Sequence, residues 1–282
     1  MRQPLGQHFL RDPQVVQAIL EAAELKKTDV ALEIGPGKAI LTEPLAARVA
    51  KLVAVELDRT LAQKLVARFA TMPYIQIVSR DFLKLDLPPL FPEAAQAPIK
   101  VLGNLPYAIT APIFEKLLTW PGWDTGVFLV QREVADRLRA VEGSRAFGLL
   151  SLAVQLFAEV EAIRQVPPSA FAPAPEVHST VIRMRRKQTA LLPPEDIPAF
   201  FDFARAAFGH RRKTVGNSLA LATQFPKKQL QEWLVSQQLN FDLRAEAIGL
   251  EDYVRIARPW GIFRREMELT GDTPTSTITK PF

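Results

Sequence analysis

Residues 30–58 of the chain constrain its fold more than any other stretch. Val30-Ala31-Leu32-Glu33-Ile34 is a short apolar run of the buried-strand kind, and Gly35-Pro36-Gly37 breaks it. A helical stretch follows. Lys51-Leu52-Val53-Ala54-Val55 then forms a second strand that ends on Glu56, Leu57 and Asp58. Two strands joined through a helix form a βαβ unit, which makes them parallel and the crossover right-handed. The chain is therefore expected to be α/β. A glycine turn at the end of one strand and an acid at the end of the next, about 20 residues on, is the layout that holds nucleotides and nucleosides.

The details narrow the ligand. Ile40 stands where G-x-G-x-x-G needs its third glycine, which disfavours a nicotinamide dinucleotide. Gly37-Lys38 is followed by Ala39, and the earlier P-loop glycine is missing, so a Walker A reading fails. A turn this short suits a ligand without a pyrophosphate, such as S-adenosylmethionine. Glu56 then accepts from the ribose hydroxyls. A third strand, Tyr74-Ile75-Gln76-Ile77-Val78, ends just before Asp81, a carboxylate placed to accept an adenine amine.

After a proline-rich loop at 88–98, Ile99-Lys100-Val101-Leu102 reads as a fourth strand and runs into Gly103-Asn104-Leu105-Pro106-Tyr107. Helix-forming residues follow, with Pro112 near the start. An amide, free carbonyls and a phenol ring at the carboxyl end of a parallel strand suit a planar base with an exocyclic amine. Pro106 stiffens the loop and removes one competing N–H. Further strands are expected at 125–130, 160–166 and 180–184, with helices at 133–141 and 149–158. The rigid loop 167–175 carries Phe171, either as a core plug or as a ring stacked on the base displayed at Asn104.

Residues 188–198, with Pro193 and Pro194, read as a linker. Beyond them the pattern is helical at 200–208, 214–222, 227–239 and 245–257. The expected division is an α/β domain at 1–187, the linker, a small helical domain at 199–263 and a polar, flexible tail at 264–282. Two basic clusters, Arg183, Arg185, Arg186 with Lys187, and Arg211, Arg212 with Lys213, read either as solvated charge or as phosphate contacts. The net charge of +5 favours the second. The absence of cysteine excludes disulfides and cysteine-based metal or redox chemistry, and fits a reducing cytoplasm. His8, His178 and His210 are too dispersed to suggest a metal site. The opening residues lack the apolar run of a secretory leader, and no run elsewhere is long enough to span a bilayer.

In order along the chain stand Gly6-Gln7-His8-Phe9-Leu10, Glu33-Ile34-Gly35-Pro36-Gly37, Val55-Glu56-Leu57-Asp58, Gly103-Asn104-Leu105-Pro106-Tyr107, Pro167-Pro168-Ser169-Ala170-Phe171 and Arg211-Arg212-Lys213-Thr214. This ordered set resembles the bacterial small-subunit ribosomal RNA adenine-N6,N6-dimethyltransferases. Asn-Leu-Pro-Tyr alone resembles the catalytic motif of adenine-N6 methyltransferases in general. The family resemblance implies a Rossmann-like, seven-stranded, S-adenosylmethionine-dependent methyltransferase core with a small all-helical C-terminal domain. It implies cofactor contacts at His8, Leu10, Gly35, Glu56, Asp81 and Asn104, with Gly37 in the same turn. It places Asn104, Leu105, Pro106 and Tyr107 at the target adenine, with Phe171 on the base's other face. The implied substrate is a pair of adjacent adenosines near the end of the small-subunit rRNA, modified during ribosome assembly by a cytoplasmic, monomeric enzyme acting on the 30S particle.

Two positions depart from the pattern. The family often has Asn where this chain has His8, and Ala39 stands where many methyltransferases have a third glycine. The rival readings are a large-subunit rRNA adenine methyltransferase, a non-catalytic RNA-binding assembly factor on the same fold and a nicotinamide oxidoreductase.

Overall fold

The structure is a computed structural model, and it describes residues 8–210 and 212–269. The chain groups into two compact units. One holds the residues up to Asp136 together with Ala158–Lys187; the other holds Arg137–Phe157 and the residues from Gln188 onward.

The first unit opens with β1 (Phe9–Leu10) and α1 (Pro13–Ala22). Asp12 starts α1 by accepting from the Gln14 N–H at 2.8 Å, and Pro13 takes a position where no N–H is needed. The apolar face of α1 buries Val15, Val16, Ile19 and Leu20. Then come β2 (Val30–Ile34), α2 (Thr42–Ala46), β3 (Lys51–Glu56), α3 (Arg59–Arg68), β4 (Ile75–Ser79) and β5 (Ile99–Asn104). Asp58 caps α3, its Oδ1 accepting from the N–H groups of Thr60 and Leu61. After β5 the chain continues through α4 (Thr110–Thr119), β6 (Trp123–Gln131) and α5 (Arg132–Leu138). Beyond α6 (Leu149–Phe157) it returns as β7 (Ala158–Val166), β8 (Phe171–Ala172) and β9 (Ser179–Arg186).

The strands form one seven-stranded sheet of order β4-β3-β2-β5-β6-β9-β7. The first five are parallel, while β9 lies antiparallel between β6 and β7. The strand order reverses between β2 and β5, which opens a crevice at their carboxyl ends. Gly103 lets these two strands meet there: a Cβ on it would lie 2.7 Å from the Ile34 carbonyl oxygen. β1 and β8 form a separate antiparallel ribbon, Phe9 opposite Ala172 and Leu10 opposite Phe171.

The second unit contains α6, α7 (Ile197–Phe208), α8 (Val215–Thr223), α9 (Lys227–Ser236) and α10 (Leu250–Leu269). Its core is aromatic: the Phe203 ring lies 5.6 Å from Tyr253 and 5.3 Å from Trp260, centroid to centroid. The residues 137–157, expected in the first domain, group with this unit. Within it the Gly143 N–H donates to the Glu246 carbonyl at 2.7 Å and Phe147 meets Phe208 edge-on. The linker expected at 188–198 is ordered in its second half, where Pro194–Asp196 form a 3-10 turn and Asp196 pairs with Arg258.

The flexible tail expected from Arg264 is corrected in part. α10 runs through Pro259 to Leu269 because one stripe of it, Tyr253, Ile256, Ala257, Trp260 and Met267, is buried. Arg264 is held between Asp202 and Glu268, and Asp202 also accepts from the Trp260 indole at 2.7 Å. Residues 270–282 lie outside the described residues. Among the described residues, no helix is long and apolar enough to cross a membrane.

Candidate active site

The crevice between β2 and β5 holds a cavity of about 390 Å³, walled by the β2, β3, β4 and β5 carboxyl ends and by His8–Leu10. The size falls within the range of small-molecule sites. Gly35, Gly37, Glu56, Asp81, Asn104, Leu105, Pro106 and Tyr107 all line it, as do His8 and Leu10. These residues come from five separate stretches of sequence and meet in one place.

The glycine turn is left-handed three times over, with φ of +72° at Gly35, +55° at Gly37 and +69° at Ala39. Glu56 fixes this turn from below. One of its oxygens accepts from the Gly37 N–H at 3.0 Å and the other from the Asp58 N–H at 2.9 Å. Phe9 packs against Gly37 so closely that a Cβ there would lie 3.2 Å from its ring. Gly37→Ala is therefore expected to destabilise the protein by about 1–2 kcal/mol from the backbone alone, with displacement of Phe9 adding to it. A denaturant titration checks this: the midpoint falls with an unchanged slope.

On the β4 side, Asp81 spends Oδ1 on capping the 3-10 turn Phe82–Lys84, accepting from the Leu83 N–H at 3.0 Å. Its second oxygen has no hydrogen bond within the described residues.

Asn104 is the last residue of β5, next in register after the Gly103–Ile34 pair, so it stands beside Gly35. Its Nδ2 donates to the His8 carbonyl at 3.0 Å. A carbonyl only accepts, so this bond fixes which way the amide faces and leaves Oδ1 as an acceptor. The Thr110 hydroxyl takes the Pro106 carbonyl at 3.0 Å, and the Leu105 N–H donates to Leu129 at 3.1 Å. The Leu105 carbonyl accepts from none of the described residues. Among the described residues, two oxygens of residues that line the cavity are thus free to accept.

Tyr107 is half-buried, its hydroxyl 2.8 Å from Ser179 Oγ. Burial pushes the phenol pKa above its ordinary value, and the Ser179 bond only partly opposes that, so the ring stays neutral. The His8 ring lies stacked on Tyr107 at 5.6 Å and 28°, and its Nδ1 donates to the Pro173 carbonyl at 2.8 Å. A carbonyl partner sets the proton on Nδ1.

One wall residue was not singled out in the sequence. Glu33, on β2, is 1 % exposed and lines the cavity, and its Oε2 has no hydrogen-bond partner among the described residues. Burial raises its pKa to about 8; the charge of Glu56 adds to that, and the nearby Thr42 hydroxyl acts in the opposite direction. An acid in the middle of a run as apolar as Val30–Ile34 was the available signal, because such a group is costly to bury without a use.

Several expectations are corrected. Phe171 is 2 % exposed within the apolar core and does not line the cavity, so its ring is the core plug and has no face open to a base. Arg183 pairs with Glu24 and Glu161, and Arg185 with Glu24. Arg186 donates to the Leu118 and Trp120 carbonyls and sits over the Trp123 ring. These three arginines thus have partners within the first unit. Arg212 and Lys213 are exposed in the turn between α7 and α8, while Arg211 lies outside the described residues.

Comparison with known proteins follows the same lines. Residues 1–259 match the family model for ribosomal RNA adenine dimethylase. A ribosomal RNA small subunit methyltransferase A from Nostoc sp. is 39 % identical over 93 % of this chain and 98 % of its own length. One from Synechococcus sp. is 40 % identical over 91 % of each. Among solved structures, a dimethyladenosine transferase from Plasmodium falciparum superposes with a TM-score of 0.75 at 23 % identity, covering 90 % of this chain and 98 % of that one. The 23S rRNA methyltransferase ErmE gives 0.66 at 27 % identity, covering 90 % and 99 %.

Proposed function

The chain belongs to the ribosomal RNA adenine dimethylase family, and on that premise we propose that it dimethylates N6 of two adjacent adenosines near the 3′ end of small-subunit rRNA. It is an S-adenosylmethionine-dependent rRNA adenine dimethyltransferase. Its working partner is the assembling 30S particle in the cytoplasm, and it acts as a monomer.

The cavity suits this methyl donor. The donor carries a sulfonium and an ammonium, and the walls present Glu33, Glu56 and Asp81, one of them with an orphaned oxygen. Glu56 is placed for the ribose hydroxyls, Asp81 for the adenine amine, and the Gly35–Gly37 backbone and Leu10 for the methionine end. When bound, S-adenosylmethionine supplies an electrophilic methyl group on sulfur.

The remaining work falls to the chain. The observation that supports the reading above all others is the Asn104 amide, whose bond to the His8 carbonyl leaves Oδ1 as an acceptor on a residue that lines the cavity beside the glycine turn. An adenine amine is a poor nucleophile because its lone pair is delocalised into the ring. Asn104 Oδ1 and the Leu105 carbonyl accept its two hydrogens, draw the nitrogen towards sp3 and stabilise the positive charge that grows on it during attack. Tyr107 holds the base by its face and keeps the approach in line. No strong base is needed first, since the proton leaves after the methyl arrives. In the second round one N–H remains, and one of the two acceptors faces a methyl group instead. The target base must leave its stack, at a cost of about a few kcal/mol.

The test offers methyl-labelled S-adenosylmethionine with unmethylated small subunits, naked small-subunit RNA and large subunits in parallel, and analyses the released nucleosides by mass. Dimethyladenosine from small subunits is the expected product. Label confined to large subunits would move the assignment to the other ribosomal RNA.

A further inference from the structure

Lys116 lies outside the cavity wall, on α4 one turn past Ile113, whose side chain lines it. The Lys116 ammonium donates to the Leu83 carbonyl at 3.0 Å and to the Leu85 carbonyl, and stands 5.8 Å over the Phe82 ring. Phe82 and Leu83 belong to the turn that Asp81 caps, and Leu85 ends it; Asp81 and Phe82 themselves line the cavity. Burial lowers the lysine's pKa, with the charges of Asp86 and Asp81 opposing that. Placing an ammonium against apolar neighbours is costly unless its donors are used. Here two are used, and both go to backbone carbonyls of the turn and its end. α4 in turn begins three residues after Tyr107.

We propose that Lys116 is a positioning residue. It pins the 81–85 turn to the helix behind the Asn104–Tyr107 loop, and so sets Asp81 and Phe82 for the adenine half of the methyl donor. The inference rests on the reading of the cavity as an S-adenosylmethionine site. Without the two charged hydrogen bonds, the turn loses its register with α4, and the Asp81 carboxylate no longer meets the adenine amine at a fixed place.

Lys116→Met keeps the length and the apolar stem and removes the donors. The donor's Kd, read by calorimetry, and its KM are expected to rise about tenfold to a hundredfold, as for lost hydrogen bonds to a charged group. kcat at saturating donor stays within about threefold, and Lys116→Arg recovers most of the affinity. The deciding readout is a donor analogue whose adenine amine is replaced by a carbonyl oxygen. The wild type discriminates against it through Asp81, and that discrimination shrinks severalfold in Lys116→Met.

A general loosening of the fold would weaken both donors alike. An unchanged ratio of the two affinities would therefore overturn the proposal, as would wild-type affinity in Lys116→Met. If Lys116→Met does not fold, Lys116→Gln, which replaces the ammonium by an uncharged amide, is read by the same ratio. Failure of the wild type to bind S-adenosylmethionine would overturn the cavity assignment and this inference together. Normal wild-type binding with an unmoved ratio would overturn this inference alone.

Discussion

Asn104→Ala lowers turnover by about a hundredfold or more, while donor affinity falls by less than about tenfold. The split follows from what the amide touches. Its Oδ1 is an acceptor aimed at a nitrogen that becomes positive only as the methyl arrives, so most of its effect belongs to the transition state. Loss of one preorganised polar group of this kind costs on the order of 10²–10³ in kcat. The smaller effect on the donor has a separate cause: Nδ2 holds the His8 carbonyl, and His8 and Leu10 close one side of the cavity. Asn104→Asp separates the two further. It keeps an acceptor oxygen but loses the N–H and places a charge beside that carbonyl. Steady-state kinetics against donor concentration, with saturating small subunits, gives both quantities. Equal losses in kcat and donor affinity would place Asn104 in ground-state binding instead.

The second large effect concerns stability against pH. Glu33 is pushed to about 8 in the folded protein from 4.5 in the unfolded chain. The folded state therefore keeps a proton that the unfolded state has shed. The stabilising contribution is complete below about pH 4.5 and is lost as pH rises through 8. Across that window the loss is on the order of a few kcal/mol, at up to about 1.4 kcal/mol per pH unit. Glu33→Gln, which presents a neutral amide at every pH, flattens this slope. Urea titrations of the ligand-free protein at pH 5, 6, 7 and 8 measure it. A wild-type slope equal to that of Glu33→Gln over this range would show that Glu33 is ionised in the folded state. A cation bound beside Glu33 favours the carboxylate, so donor affinity is expected to rise with pH over the same window.

These expectations draw on features that were unequally visible in the sequence. The strands that build the crevice announce themselves as apolar runs, and each ends on a residue useful to a ligand: Gly35, Glu56, Asp81 and Asn104. A parallel sheet puts such ends side by side, which is why residues 21 to 69 positions apart in sequence, counting from Gly35, meet in one cavity. The family resemblance added His8 and Leu10, and the structure brings them to the same cavity through a ribbon of two-residue strands. Strands that short carry no periodicity to read.

The misreadings have a common physical origin: the partner of a side chain is set by tertiary contact. Arg183 and Arg185 look like a phosphate patch until Glu24 arrives from the end of α1, some 160 residues earlier in the chain. Phe171 sits in a loop of prolines and small residues, yet β1 covers it. The helix expected at 245–257 continues through Pro259 to Leu269, carried by the buried stripe on α10. Glu33 was hidden by the opposite effect, since the strength of the strand signal around it concealed the one residue that does not belong in a core.

The account stands on a cavity that holds the target adenine by its edge amine. A crystal structure with S-adenosylhomocysteine and a short adenosine-containing RNA reads this directly. The base is expected on Tyr107 with its amine nitrogen within about 3.2 Å of both Asn104 Oδ1 and the Leu105 carbonyl oxygen. A base bound with that amine turned away from Asn104, or held at a different wall, would contradict the account.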